Sequence, residues 1–133
     1  MAATNPDNEA RGGELAAAIS NVVVRLLAEY TGRGPTKART VIRGNLIVVL
    51  LHDTLTKGER ALVRNGRERK VIDLRGEFQA ALRQEAEAAI EQLTGRKVTA
   101  FMSANHIDPD LAAEIFVLDG GPSLDGPYLE TSE

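Results

Sequence analysis

Hydrophobic positions along the chain change their period several times, and each change predicts an element. Leu15, Ile19, Val22, Val23, Leu26, Leu27 and Tyr30 recur at spacings of three and four, which places them on one stripe of a helix starting near Glu14. Gly32 is the natural stop. Met1 to Gly13 shows no apolar period and reads as a disordered lead-in. Lys37 to Arg43 alternates, with Val41 between Arg39 and Arg43. Gly44-Asn45 is a turn dipeptide, and Leu46 to Leu51 is a continuous apolar run. The pattern predicts a hairpin whose first strand is half exposed and whose second is central and covered on both faces. In a small two-layer domain the second cover comes most simply from a second subunit, so a homodimer is expected.

Thr56 and Glu59 have the spacing of a capping box, in which each side chain bonds the other residue's backbone amide. A short helix should run from Lys57 to Asn65 and stop at Gly66. A longer helix follows, with Val71, Leu74, Phe78, Leu82, Ala86, Ala89, Ile90 and Leu93 on one face and Gly95 past its end. Gly76 lies inside it at a cost of about 1 kcal/mol relative to alanine, a position suited to close packing or a bend. Val98 to Ser103 and Glu114 to Leu118 read as strands, separated by a loop over Asn105 to Leu111 in which Pro109 sits between two aspartates. The order α-β-β-α-α-β-β predicts an α+β, two-layer fold: an antiparallel four-stranded sheet with helices packed on one face. The domain boundaries expected are a disordered segment over 1–13, one domain over 14–119, and a disordered acidic tail over 120–133.

Composition narrows the class. With 133 residues, 43% hydrophobic and 26% charged, the chain suits one compact domain. No apolar run approaches the roughly 18 residues that cross a bilayer, so membrane insertion is not expected. The absence of cysteine excludes disulfides, thiol catalysis and Cys-ligated zinc. Without a signal-peptide pattern the expected location is cytoplasmic, peripheral at the membrane only through a partner. The net charge of -3 hides a segregation: residues 1–32 carry two basic and four acidic side chains, 33–75 eleven and four, and 76–133 three and eleven. Such polarity suits an anionic ligand at the middle segment or contact between basic and acidic parts.

Three places offer candidate chemistry. In Gly32-Arg-Gly-Pro-Thr-Lys37, glycines, free amides and cations suggest an anion cradle, with Arg33, Gly34, Thr36, Lys37 and Arg39 as candidate ligand-binding residues. A phosphate-binding P-loop needs strand, loop, then helix, and this chain has helix then strand, which argues against nucleotide hydrolysis. His106, Asp108 and Asp110 have a spacing that would let an imidazole and two carboxylates meet one metal, although Asp-Pro-Asp equally serves a loop's own side-chain bonds. Arg60, Arg64, Arg67, Arg69, Lys70 and Arg75 form a basic run without interleaved aromatics, so a solvated helix face is preferred to nucleic-acid binding. No catalytic constellation emerges. No catalytic residues and no cofactor are therefore expected, and a non-enzymatic role is preferred.

The segments ISNVVVRLLAEYTGRGPTKART, LTKGERALV and LTGRKVTAFMSANHIDPDLAAEIFVL together resemble the small bacterial MpsC family, also called YbcI-like and formerly a domain of unknown function. The resemblance covers about residues 12 to 119, with GRGPTKAR and HIDPD its most distinctive pieces. It implies a soluble protein linked with a membrane system described as cation-translocating and membrane-potential-generating, later connected with uptake of dissolved inorganic carbon. It supplies no catalytic residues. The chain departs from the family pattern in its acidic tail and in Ala104-Asn105 before His106, where a charged residue or second histidine is more usual; this weakens the metal reading. The expected function is that of an accessory or regulatory partner of an ion or inorganic-carbon transport system, with a membrane transport protein as partner. The alternative is a small-anion or nucleotide sensor using the Gly32–Lys37 loop, and the third reading is a nucleic-acid binder.

Overall fold

The structure, a computed structural model, describes residues 6–120. Its elements are α1 (Pro6–Thr31), β1 (Lys37–Arg43), β2 (Leu46–His52), α2 (Lys57–Arg64), α3 (Glu68–Thr94), β3 (Val98–His106) and β4 (Leu111–Leu118). All strand pairs are antiparallel, in the order β1-β2-β4-β3. The α-β-β-α-α-β-β order and the α+β class are those expected from the sequence. The two hairpins lie side by side with their second strands in contact, which puts the two most continuously apolar strands, β2 and β4, at the centre.

Several boundaries differ from the sequence reading. The helix α1 begins at Pro6 rather than near Glu14; a first helical turn leaves its amides unused, so proline's missing N–H costs nothing there. Residues 1–5 and 121–133, the rest of the expected lead-in and nearly all of the expected tail, lie outside the described residues. The expected loop over Asn105 to Leu111 is shorter, because Asn105, His106 and Leu111 pair within the sheet and only residues 107–110 turn.

The core lies between the helices and the inner sheet face. Ile19, Val23, Leu26 and Leu27 of α1 and Leu82, Ala86 and Ile90 of α3 meet Ile47, Val49 and Leu51 of β2 and Phe116 of β4. Phe101 packs on Phe116 with ring centroids 4.9 Å apart. The capping box opens α2 as expected, with Thr56 and Glu59 exchanging side-chain to backbone bonds. Gly95 ends α3 in the left-handed conformation at φ 71°, which glycine adopts without a Cβ penalty. At Gly76 an added Cβ would meet nothing within 4 Å, so close packing is not its reason.

The pleat sends alternate residues to the outer face, and the pairing registers align them in rows. Arg43, Leu46, Val117 and Ala100 form one row, and Val41, Val48, Ile115 and Met102 the next. Arg39, Leu50, Ala113 and Ala104 form the third, and Lys37, His52, Leu111 and His106 the last. Helices pack on the inner face only: Ser20 of α1 bonds Thr40 of β1 at 2.7 Å, and α3 packs along β3. Among the described residues the expected double cover of β2 is thus not supplied. On the outer face Val41, Leu46 and Met102 are 41%, 42% and 50% exposed.

Candidate functional site

The two distinctive strings of the sequence, GRGPTKAR and HIDPD, come together at one end of the sheet, and Asp53 and Asp110 join them. Asp110 Oδ1 accepts from the Thr54 amide and the Thr54 hydroxyl, both at 3.0 Å. Its Oδ2 accepts from the Leu55 amide at 3.0 Å and from Arg60 Nη2 at 3.3 Å, and its carbonyl accepts from the Asp53 amide at 3.0 Å. Asp53 has φ 58°, a left-handed conformation that aspartate tolerates better than most side chains. Its carboxylate accepts from the Thr36 hydroxyl, and its carbonyl accepts from Arg33 Nε at 3.1 Å. The Thr36 amide donates to the His52 carbonyl at 3.0 Å. Three loops are therefore held by two aspartates.

This arrangement separates the residues singled out as an anion cradle. Arg33 and Thr36 point into the junction and are engaged there. Gly34 sits against α1, where an added Cβ would lie 3.8 Å from the Ala28 Cβ, an ordinary contact. Lys37 and Arg39 belong to β1, and strand alternation turns both to the outer sheet face. The five residues do not converge on one point.

The proposed metal set is likewise distributed. His106 Nδ1 lies 2.8 Å from the Pro109 carbonyl, and Asp110 is committed to the donors above. Asp108 borders a groove of about 490 Å³ that is also lined by Leu55, Arg60, Val63, Arg64 and Ile107. Among the described residues, no group of three or more His, Asp or Glu side chains is placed to hold a metal ion.

A second polar cluster, which pattern reasoning missed, runs beneath α2 and α3. Glu59 Oε1 accepts from the Thr56 amide at 2.8 Å and from Arg75 Nη1 at 3.1 Å. Arg75 also donates from Nε to Asn105 Oδ1 at 3.2 Å and from Nη1 to the Thr54 carbonyl at 3.4 Å. Asn105 and Gln79 exchange amide bonds at 2.9 and 3.1 Å. Gln79 then donates to Glu114 Oε2 at 2.9 Å, and the Ser103 hydroxyl donates to Glu114 Oε1. Arg75, Gln79, Glu59 and Glu114 are all buried.

Burial raises the Glu114 carboxyl above its ordinary range, opposed by the bonds from Ser103 and Gln79 and by the charge of Arg75. Glu59 Oε2 is buried without a hydrogen-bond partner. The basic run over 60–75 is divided by this arrangement. Arg75 is inside, Arg60 is paired with Asp110, and Arg69 meets Asp73 at 3.6 Å on the surface. The available signal for the cluster was Glu114, a carboxylate in an apolar strand at an inward position.

The fold and its polar groups define a small two-layer α+β domain in which Asp53, Asp110, Arg75, Glu59 and Glu114 hold the domain's own loops and helices. The chain belongs to the MpsC family, since the model of that family, described as "Na+-translocating membrane potential-generating system (MpsC)", matches residues 11–120. A curated relative is the uncharacterized protein YrhF of Bacillus subtilis (strain 168), 26% identical over 102 residues that span 75% of this chain and 84% of that protein. No solved structure matches the chain at a significant level.

Proposed function

We propose that this chain is a non-enzymatic accessory or regulatory protein of a membrane ion or dissolved-inorganic-carbon transport system, acting as a homodimer in the cytoplasm. Family membership supports the link, because the family's description names a Na+-translocating system. The observation that carries a binding role is the outer sheet face, an apolar surface that none of the described helices covers. Among the described residues no helix is long and apolar enough to cross a membrane, and this reading assigns the membrane contact to a transport protein partner.

The test is deletion and capture in the native host. Loss of the chain should lower Na+-dependent or bicarbonate uptake while the transport protein remains present, and cross-linked membrane fractions should yield that protein with the tagged chain. Unchanged uptake together with no captured transport protein would remove the proposal.

A second reading, a small-anion or nucleotide sensor, draws on the groove beside the Gly32–Lys37 junction, where Arg60 and Arg64 line one wall. A ligand present at 100 times its dissociation constant stabilises its protein by about 2.7 kcal/mol. Thermal shifts with phosphate, nucleotides and bicarbonate should then appear and shrink in Arg64→Ala, which removes a cation from the groove wall. No shift with any member of the panel ends this reading.

A further inference from the structure

The outer sheet face has a charge layout that discriminates between ways of covering it. Its middle holds Leu46, Val48, Leu50, Ile115 and Val117, with Met102 towards the β3 edge. Its charged side chains, Lys37, Arg39 and Arg43, all stand on β1 at the other edge. Alanines occupy the facing positions on β3, at Ala100 and Ala104. We propose that a second copy of this chain docks here, the two sheets stacking about a two-fold axis parallel to the strands so that β1 of each copy lies over β3 of the other. This rests on the homodimer reading above and specifies its surface and geometry.

Size, shape and charge each support the second copy. Four strands about 4.8 Å apart and about 24 Å long make a face of about 450 Å² in projection. Side-chain relief brings this to roughly the 600 Å² per partner at which specific interfaces begin. Stacked sheets pack about 10 Å apart with their strands within about 30° of parallel, through mostly aliphatic faces like this one.

The symmetry axis then follows from the cations. An axis running across the strands would lay β1 on the other copy's β1 and press like charges together, which is costly at an interface. An axis along the strands sends the two cationic edges to opposite sides. There the long stems of Arg39 and Arg43 lie over Ala104 and Ala100 and Lys37 lies over His106, with the charged ends reaching the rim. A lipid surface fits less well, because the face carries no aromatic ring to sit at a headgroup boundary and its cations flank one edge only.

Light scattering of the full chain at micromolar concentration should return twice 14.3 kDa. Val48→Lys should raise the dimer dissociation constant at least about 100-fold while circular dichroism is unchanged, because it buries a charge against an apolar partner. Met102→Lys, at a half-exposed position, should weaken the dimer as well and keeps the test readable if the first variant misfolds. The chain has no native cysteine, so the geometry is testable by cross-linking. A short bismaleimide of about 8 Å should join Val41→Cys to Met102→Cys when the two variants are mixed and neither variant to itself, given the roughly 10 Å spacing of stacked sheets.

The failures are distinguishable. A monomeric wild type removes the homodimer reading and this surface together. A Val48→Lys variant that folds and stays dimeric overturns the surface and leaves the homodimer. Cross-linking of Val41→Cys to itself overturns the axis. A monomer that sediments with anionic phospholipid vesicles, and no longer does so as Val48→Lys, replaces the second copy with a membrane.

Discussion

Arg75 Nη1 stands 3.1 Å from Glu59 Oε1, and the two side chains are 2% and 4% exposed. The pair ties the first turn of α2 to the N-terminal third of α3, because the same Glu59 oxygen closes the capping box on Thr56. Taking both charges out of water is expensive, and their attraction offsets the cost only while both are present. Arg75→Met should therefore destabilise by about 3–5 kcal/mol in urea unfolding, since it strands a buried carboxylate. Glu59→Gln combined with Arg75→Met should recover part of that loss. If the double variant is as unstable as the single one, the charge pair is not the cause.

Glu114 predicts a pH dependence. Burial lifts its carboxyl above the ordinary value of 4.5, so the folded state binds its proton more tightly than the unfolded chain does. The contribution is stabilising below the unfolded value and is lost as pH rises through the raised folded one. Glu114→Gln keeps the shape and the bonding capacity towards Ser103 and Gln79 without the charge. As pH rises above the ordinary value of 4.5, the stability of the wild type relative to this variant should fall, and denaturant midpoints across a pH series provide the measurement. A constant difference would show that Glu114 does not titrate differently on folding.

Asp110 should prove structural. Its carboxylate satisfies the Thr54 and Leu55 amides, the Thr54 hydroxyl and Arg60, so Asp110→Ala leaves several donors without partners. The expected cost is about 2–4 kcal/mol, given the worth of bonds to a charged acceptor. Hydrogen exchange should show protection lost first at the Thr54 and Leu55 amides. Protection retained there with stability unchanged would return Asp110 to the list of residues free for a ligand.

Gly76 tests the opposite direction. It lies inside α3 with open space where a Cβ would go, so Gly76→Ala should stabilise by up to about 1 kcal/mol through helix propensity. A Tm about 3–5 °C higher is the expected reading for a domain of this size. A lower Tm would mean that the glycine serves contact with another molecule.

The periodicities of the chain by themselves determined the elements, their order and the two-layer class, because three-and-four spacing in α1 and α3 and alternation in β1 are local consequences of backbone geometry. The capping box at Thr56 and the glycine stops at Gly32, Gly66 and Gly95 were legible for the same reason. What only the tertiary structure decided is which residues meet. Asp110 to Thr54 and Arg75 to Glu59 join positions whose proximity depends on the strand order β1-β2-β4-β3 and on where α3 packs, whereas Asp53 and Thr36 meet because they flank the β1–β2 hairpin. The packing of the helices also placed Lys37 and Arg39, two of the candidate ligand-binding residues, on the outer face. A strand's pleat assigns a side chain to one face or the other, but the helices decide which of the two faces is buried.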